Sequence, residues 1–330
     1  MIIISGGTGF LGAHLISSLL KNQEKIVVLK RSYSKIDYLL KIISIQGVQH
    51  LTHNMTLKDV DLSDIDEVIE KTKDAKIFIH CATTANIFDK KPNLIELNRK
   101  VTSNIVNACL TNNVKLLHIS SIATIVNNIK EEQEKKHLNP KDTNSVYSLS
   151  KLYAELEVWR GIQEGLEAVI LHPSLIVGVN RMTNFINLFF KNIKRKKIFI
   201  HKQILSLIGI YDVVDIVKFI INNNMFDGEN YIINSGNYNT LDIIKTLANK
   251  LNIKAKIKEF NIQKIKFIFN IGEFFHKIFN CPIHMETFKY LTTDYYYFSD
   301  KFIKKTNYKF RDLETILTEF IYDFEKFNKQ

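Results

Sequence analysis

The sequence predicts an α/β protein built on a doubly wound parallel sheet, with a smaller carboxyl-terminal α/β lobe. Three observations predict it. Over roughly the first 180 residues, apolar strand-length runs alternate with helix-length segments, the pattern of successive βαβ units. The runs KIFIHCA and KLLHIS are nearly continuous in apolar residues, as strands covered on both faces require. The chain also opens MIIISGGTGFLGAHL, an apolar run that breaks directly into Gly6, Gly9 and Gly12 before a helical pattern begins.

Each element follows from local pattern. Strands are expected at Ile2–Ser5, Lys25–Lys30, weakly at Val48–Thr52, then at Ile77–Cys81, Leu116–Ser120 and Ala168–Pro173. Helices are expected at Leu11–Lys21, Ile65–Lys73, Leu94–Asn112 and Tyr147–Glu164. After Pro173 the regularity weakens. NFINLFFKNIKRKKIFIHK reads as a helix with a basic end followed by a strand. TLDIIKTLANKL reads as an amphipathic helix with Thr240 as its cap. KIKFIFNIGEFFHKIF, within 264–280, is aromatic and basic; packing over a pocket or core is favoured over contact with a membrane surface. The polar stretch Asn127–Ser145 is a long loop where a lid or pocket rim would sit. The expected division is residues 1–175 for the sheet domain and 176–330 for the second lobe, interleaved with it.

Composition bounds the function. With 330 residues and 45% apolar content, the chain can bury one or two cores. The net charge of +11 invites a nucleic-acid reading, but only six of the 45 basic residues are arginine. Abundant Lys, Asn and Ile point to compositional bias, and a small phosphate-bearing ligand suits the charge equally well. No nucleic-acid partner is expected. Cys81, Cys109 and Cys281 are too few and too widely spaced for a disulfide framework or a CxxC metal pair. His50 and His53 lack further ligands, so no metal site is expected. No apolar stretch reaches a membrane-spanning length, and nothing resembles a leader segment, so a cytoplasmic protein is expected.

Three motifs carry chemistry. GGTGFLG lies between a strand and a helix, where a tight turn and unpaired helix-terminal N–H groups can meet a pyrophosphate. By itself it is equally a tight turn. In SVYSLSKLYAE, Tyr147 and Lys151 are four apart and share a helix face. A nearby ammonium can stabilise a phenolate whose ordinary pKa of about 10 makes it a poor acid–base group. That spacing also arises by chance. LLHISSIAT ends a strand in Ser120 and Ser121, hydroxyls at the carboxyl end of a parallel strand, where ligands bind; simple strand termination is the alternative.

Taken together, with the strand-end serine about 26 residues before the tyrosine, the motifs resemble the extended short-chain dehydrogenase/reductase family. This is also called the NAD-dependent epimerase/dehydratase family, and the texture is nearest its dihydroflavonol-reductase-like branch. VDLSDIDEVIEKTKDAKIFIHCAT, LNRKVTSNIVNAC, LHPSLIVGVN and IYDVVDIVKFI add to the resemblance, which covers nearly the whole chain. It implies a Rossmann-type domain and NAD(P)-linked oxidoreductase chemistry, with Ser121 (Ser120 as its substitute), Tyr147 and Lys151 as the catalytic group. It implies a dinucleotide held by Gly6, Thr8, Gly9, Phe10, Leu11 and Gly12, by Asp61 and Leu62, by Cys81, Ala82 and Thr83, by Asn98, by Tyr147 and Lys151, and by Pro173.

Departures refine this. The second strand ends VVLKRSYSK, with Lys30 and Arg31 and no acid to hold ribose hydroxyls. Two cations there favour a 2′-phosphate, hence NADP(H) over NAD(H), with solvated surface cations as the alternative. His172 stands where the family has an arginine, a position read as structural. Ile122 and Ala123 replace the dehydratases' acid pair. ILSLIGIYDVVD lacks the arginines that usually hold a nucleotide diphosphate, and beyond Arg195 the remaining arginine is Arg311. The expected activity is NADPH-linked reduction of a ketone to a secondary alcohol, with nucleotide-linked keto-sugars among the candidate substrates. The alternatives are a nucleotide-sugar epimerase with retained NAD and a non-catalytic NADP-binding regulator. The resemblance also makes a homodimer an expectation, through a bundle that includes the Tyr147 helix.

Overall fold

The computed structural model describes residues 1–83, 91–126, 133–143, 145–179, 197–254, 256–259 and 293–329. Six strands and five helices build the first half in strict alternation. They are β1 (Ile2–Ser5), α1 (Phe10–Lys21), β2 (Ile26–Lys30), α2 (Asp37–Ile45), β3 (Met55–Asp59), α3 (Ile65–Thr72), β4 (Ile77–His80), α4 (Asn93–Asn112), β5 (Lys115–Ile119), α5 (Val146–Gln163) and β6 (Ala168–Pro173). A seven-stranded sheet forms in the order Asn230–Ile233, β6, β5, β4, β1, β2, β3. Every neighbouring pair in it is parallel. Its seventh strand comes from far beyond residue 175, so a cut there does not separate the layer.

The central strands read as continuous apolar runs because helices cover both faces. Ile2–Ser5 and Ala168–Pro173 are buried at every position. One face packs against α1, α2 and the helix Ile210–Asn222, the other against α4 and α5. Strand order reverses between β1 and β4, and the crevice at their carboxyl ends is the ligand position of such sheets. A smaller three-stranded sheet, Gly236–Asn239 with Ile204–Gly209 and Leu175–Val177, forms its own core with the helices Thr240–Lys250 and Leu313–Lys329.

Two local expectations are corrected, and one helix is added. Val48–Thr52 is not a strand: Gln49–Asn54 forms a 3₁₀ turn and the strand is Met55–Asp59. That edge strand pairs only with β2 and is half-exposed, so its polar residues hid it, while Val48 is buried beneath the turn. The helix Asp37–Ile45 was not anticipated. The cap of Thr240–Lys250 is Asn239, whose side chain accepts the Leu241 N–H at 2.8 Å. Thr240 instead donates its hydroxyl to the His201 carbonyl at 2.6 Å. The NFINLFF helix with Arg195, the segment 264–280, Cys281 and residues 127–132 and 144 of the polar loop lie outside the described residues. Among those described, no helix is long and apolar enough to cross a membrane, and Cys81 and Cys109 are free thiols.

Candidate active site

The glycine turn joins β1 to α1. Gly6 has φ +75°, a conformation that glycine adopts without strain, and a Cβ there would sit 2.6 Å from the Ala82 nitrogen. A Cβ on Gly12 would lie 2.3 Å from the Gly6 carbonyl oxygen. The turn is closed by Gly9 N–H donating to the Gly6 carbonyl at 3.0 Å. Gly9 is the exposed N-cap of α1 and brings no side-chain acceptor. The first amides of α1 therefore open into the crevice, the arrangement an anionic pyrophosphate needs. Thr8 and Phe10 are half-buried beside the turn and Leu11 is buried under it. These residues fit a dinucleotide, because glycine at 6, 9 and 12 keeps the cradle clear.

The far wall is carried by β4, β5 and α5. Cys81 follows β4, its N–H donating to the Ser5 carbonyl at 3.1 Å; Ala82 is half-buried and Thr83 exposed. Ser121 follows β5 as N-cap of a single 3₁₀ turn, its Oγ accepting the Ala123 N–H at 3.1 Å. Tyr147 lies in the first turn of α5, which Ser145 caps by accepting the Ser148 N–H. The Ser121 hydroxyl lies close enough to the Tyr147 phenol to act on it. Burial pushes the Tyr147 phenol above its ordinary pKa, and the Ser121 hydroxyl opposes that shift. Lys151, one turn on, donates to the Ile119 carbonyl at 2.9 Å. Burial pulls its ammonium down to about 8, while Cys81 and Glu155 act to hold it up. The fold thus brings Ser121, Tyr147 and Lys151 into one group. Of the two strand-end serines, Ser120 points away and donates to Glu155 at 2.6 Å.

At the end of β2 the two cations differ in their surroundings. Lys30 forms an ion pair with the more exposed Asp59 across the β2–β3 register. Arg31 is exposed, donates to the Tyr33 hydroxyl at 3.2 Å and lies near enough to Asp61 to influence its charge. Asp61 accepts the Ser63 N–H and hydroxyl at 2.9 and 2.8 Å, which holds its carboxyl below the usual range. The Leu62 carbonyl accepts from Asn104 at 3.0 Å. Asn98 is buried on α4, its carbonyl accepting the Thr102 hydroxyl. Pro173 is buried at the end of β6.

The family model for the NAD dependent epimerase/dehydratase family matches residues 2–236. The chain belongs to that family. It is an enzyme of the extended short-chain dehydrogenase type with a nicotinamide cofactor. The UDP-glucose 4-epimerase of Vibrio cholerae is 26% identical over 75% of this chain and 74% of its own length. A putative dihydroflavonol 4-reductase of Synechocystis is 26% identical over 53% of this chain and 49% of its own. Among solved structures, gox2253 superposes with a TM-score of 0.80 at 22% identity, over 99% of this chain and 98% of that one.

Two further features of the fold bear on the site. Arg311 donates to Asp212, Asp215 and Glu319 at 2.9, 2.7 and 3.0 Å, so its guanidinium is consumed within the fold. Behind Ser121 lies a buried polar network that sequence reasoning missed. Glu155 is fully buried and accepts from Ser120, from Thr124 at 3.0 Å and from the Trp159 indole at 3.2 Å. Its Oε1 lies 3.5 Å from both His172 Nε2 and His137 Nδ1. The Tyr147, Lys151, Glu155 spacing was visible in the sequence as one helix face, but only burial shows that the acid points inward.

Proposed function

We propose that the protein reduces a ketone to a secondary alcohol with NADPH. One observation carries the reading: the Tyr147 phenol, which burial holds above its ordinary pKa, has the Ser121 hydroxyl close enough to act on it. A protonated phenol at that place suits proton donation, the direction a reduction needs. The bound dinucleotide supplies the hydride to the carbonyl carbon. Ser121 orients the carbonyl oxygen and Tyr147 donates the proton to the alkoxide as it forms. Lys151 places its positive charge beneath them, to support the phenolate left behind and the nicotinamide ribose.

Arg31, exposed and beside Asp61, supports the choice of NADPH, because a guanidinium matches a 2′-phosphate and no acid ends β2 to hold a free ribose hydroxyl. Its engagement elsewhere keeps Arg311 from a diphosphate, which favours a substrate without one over a nucleotide-linked keto-sugar. The Vibrio cholerae relative supports a second reading, a nucleotide-sugar epimerase with retained NAD.

Cofactor consumption separates them. Net NADPH oxidation with a ketone panel is expected, and an epimerase interconverts sugars while consuming none. No turnover with either cofactor across ketones and keto-sugars would overturn the reductase reading and leave a non-catalytic NADP-binding protein. Arg31→Glu is expected to reduce the NADPH-over-NADH affinity ratio about tenfold or more, by removing one charge-assisted phosphate contact. An unchanged ratio in fluorescence titrations would refute the cofactor assignment.

A further inference from the structure

Ser121 sits on a strand-end turn, a place where loops ordinarily wander. Here the turn is held from behind at three successive points. Ser120 Oγ donates to Glu155 Oε2 at 2.6 Å, and the Thr124 hydroxyl is shared between the same oxygen at 3.0 Å and the Ser121 carbonyl at 2.9 Å. Between them, the Ser121 carbonyl oxygen lies 3.2 Å from His172 Nδ1. The Asn230 amide faces His172 Nε2 at 3.3 Å, and Lys301 lies against the Asn230 amide oxygen, which fixes that amide's orientation. His172 Nδ1 also lies 3.1 Å from Thr124 Oγ1, so the imidazole touches the turn at two atoms.

Glu155 is eight residues after Tyr147 and four after Lys151, so all three project from one side of α5. Among the described residues, its ion-pair partners are only the two imidazoles, and no Lys or Arg contacts the carboxylate. A buried acid with no permanent partner is costly to keep, and apolar packing would hold a turn as well.

We propose that Glu155 is a positioning residue: it clamps the hydroxyls on both sides of Ser121 and sets a negative charge one helical turn behind the Lys151 ammonium. The proposal rests on the reductase reading for its kinetic consequences. The clamp keeps the Ser121 turn beside Tyr147 before any substrate arrives. The charge keeps Lys151 protonated at neutral pH, where burial works against it. The titratable groups around this pair are His172 from β6 and His137 from the loop before α5, both facing Glu155, and Cys81, His80 and His118, whose charges act on or respond to Lys151.

Two substitutions divide the roles. Glu155→Gln keeps the reach and loses the charge; Glu155→Asp keeps the charge and shortens the reach. Kinetics with NADPH and a turned-over ketone are measured from pH 6 to 10, with NADPH affinity and Tm alongside. For Glu155→Gln, the alkaline limb of kcat is expected to move to lower pH by about one unit, as Lys151 loses its proton earlier. For Glu155→Asp, that limb stays in place while kcat falls roughly 10- to 100-fold through misplacement of Ser121. NADPH affinity stays within about twofold in both.

Two results overturn the proposal: limb and kcat unchanged in both variants, or affinity, Tm and kcat falling together. If Glu155→Gln does not fold, Thr124→Ala removes one clamp bond and is expected to lower kcat with NADPH affinity kept; no change in kcat overturns the clamp. If the parent reduces no ketone, the reductase reading fails while the inference remains decidable. The pH midpoint of Lys151 labelling by acetic anhydride, read by mass spectrometry, needs no substrate. It falls in Glu155→Gln if the charge acts as described, and an unmoved midpoint overturns it.

Discussion

Tyr147 and Ser121 are already neighbours in the protein alone. Removing the phenol hydroxyl removes the proton donor and leaves the ring's packing. Tyr147→Phe is therefore expected to lower kcat by about 10²- to 10⁴-fold with NADPH affinity nearly unchanged. Steady-state rates and a fluorescence titration on the same preparation check this. The tyrosine and lysine were legible in the sequence because helix periodicity alone places residues four apart on one face. The ion pair of Lys30 was not: it depends on Asp59, a residue 29 positions away that only strand register sets beside it. The bond of the Lys151 ammonium to the Ile119 carbonyl at 2.9 Å, and the rise that burial gives the Tyr147 phenol, were equally invisible. Desolvation is a property of the assembled core and has no local trace.

Elements that bury an entire face were readable; those at edges were not. The central strands had continuous apolar runs, whereas β3 reads MTLKD and is half-exposed, so its strand character comes from pairing with β2. The glycine turn was legible as a motif, but the reason for each glycine is spatial. Gly12 is inside a helix, where alanine ordinarily stabilises by roughly 1 kcal/mol. Here an alanine Cβ would strike the Gly6 carbonyl oxygen at 2.3 Å and the Gly7 Cα at 2.6 Å. Gly12→Ala is expected to lower Tm and abolish dinucleotide binding together, as the turn and the helix are forced apart. Calorimetry and NADPH titration read the two effects. A variant as stable as the parent would show that the turn relaxes.

The whole molecule carries several histidines in its interior, and these set its response to acid. Burial holds His14 at about 4 and His80 at about 3, against 6.5 in an unfolded chain. The unfolded chain therefore binds more protons than the folded one below pH 6.5, and stability falls as pH drops from 6.5 toward those values. At pH 5 the loss is about 2 kcal/mol for each imidazole. Tm is expected to be lower at pH 5 than at pH 8, with a smaller drop in His14→Gln, whose side chain has no proton to gain. The bare N-cap of α1 has a consequence on the same scale. α1 begins on Gly9 with no side chain to close it, so an anion bound there would also serve as its cap. A dinucleotide at 100 times its Kd adds about 2.7 kcal/mol to folding, and that gain reports binding without any reaction. A thermal-shift comparison of NADPH with NADH would thus rank the two cofactors before a substrate is known, with the larger shift expected for NADPH.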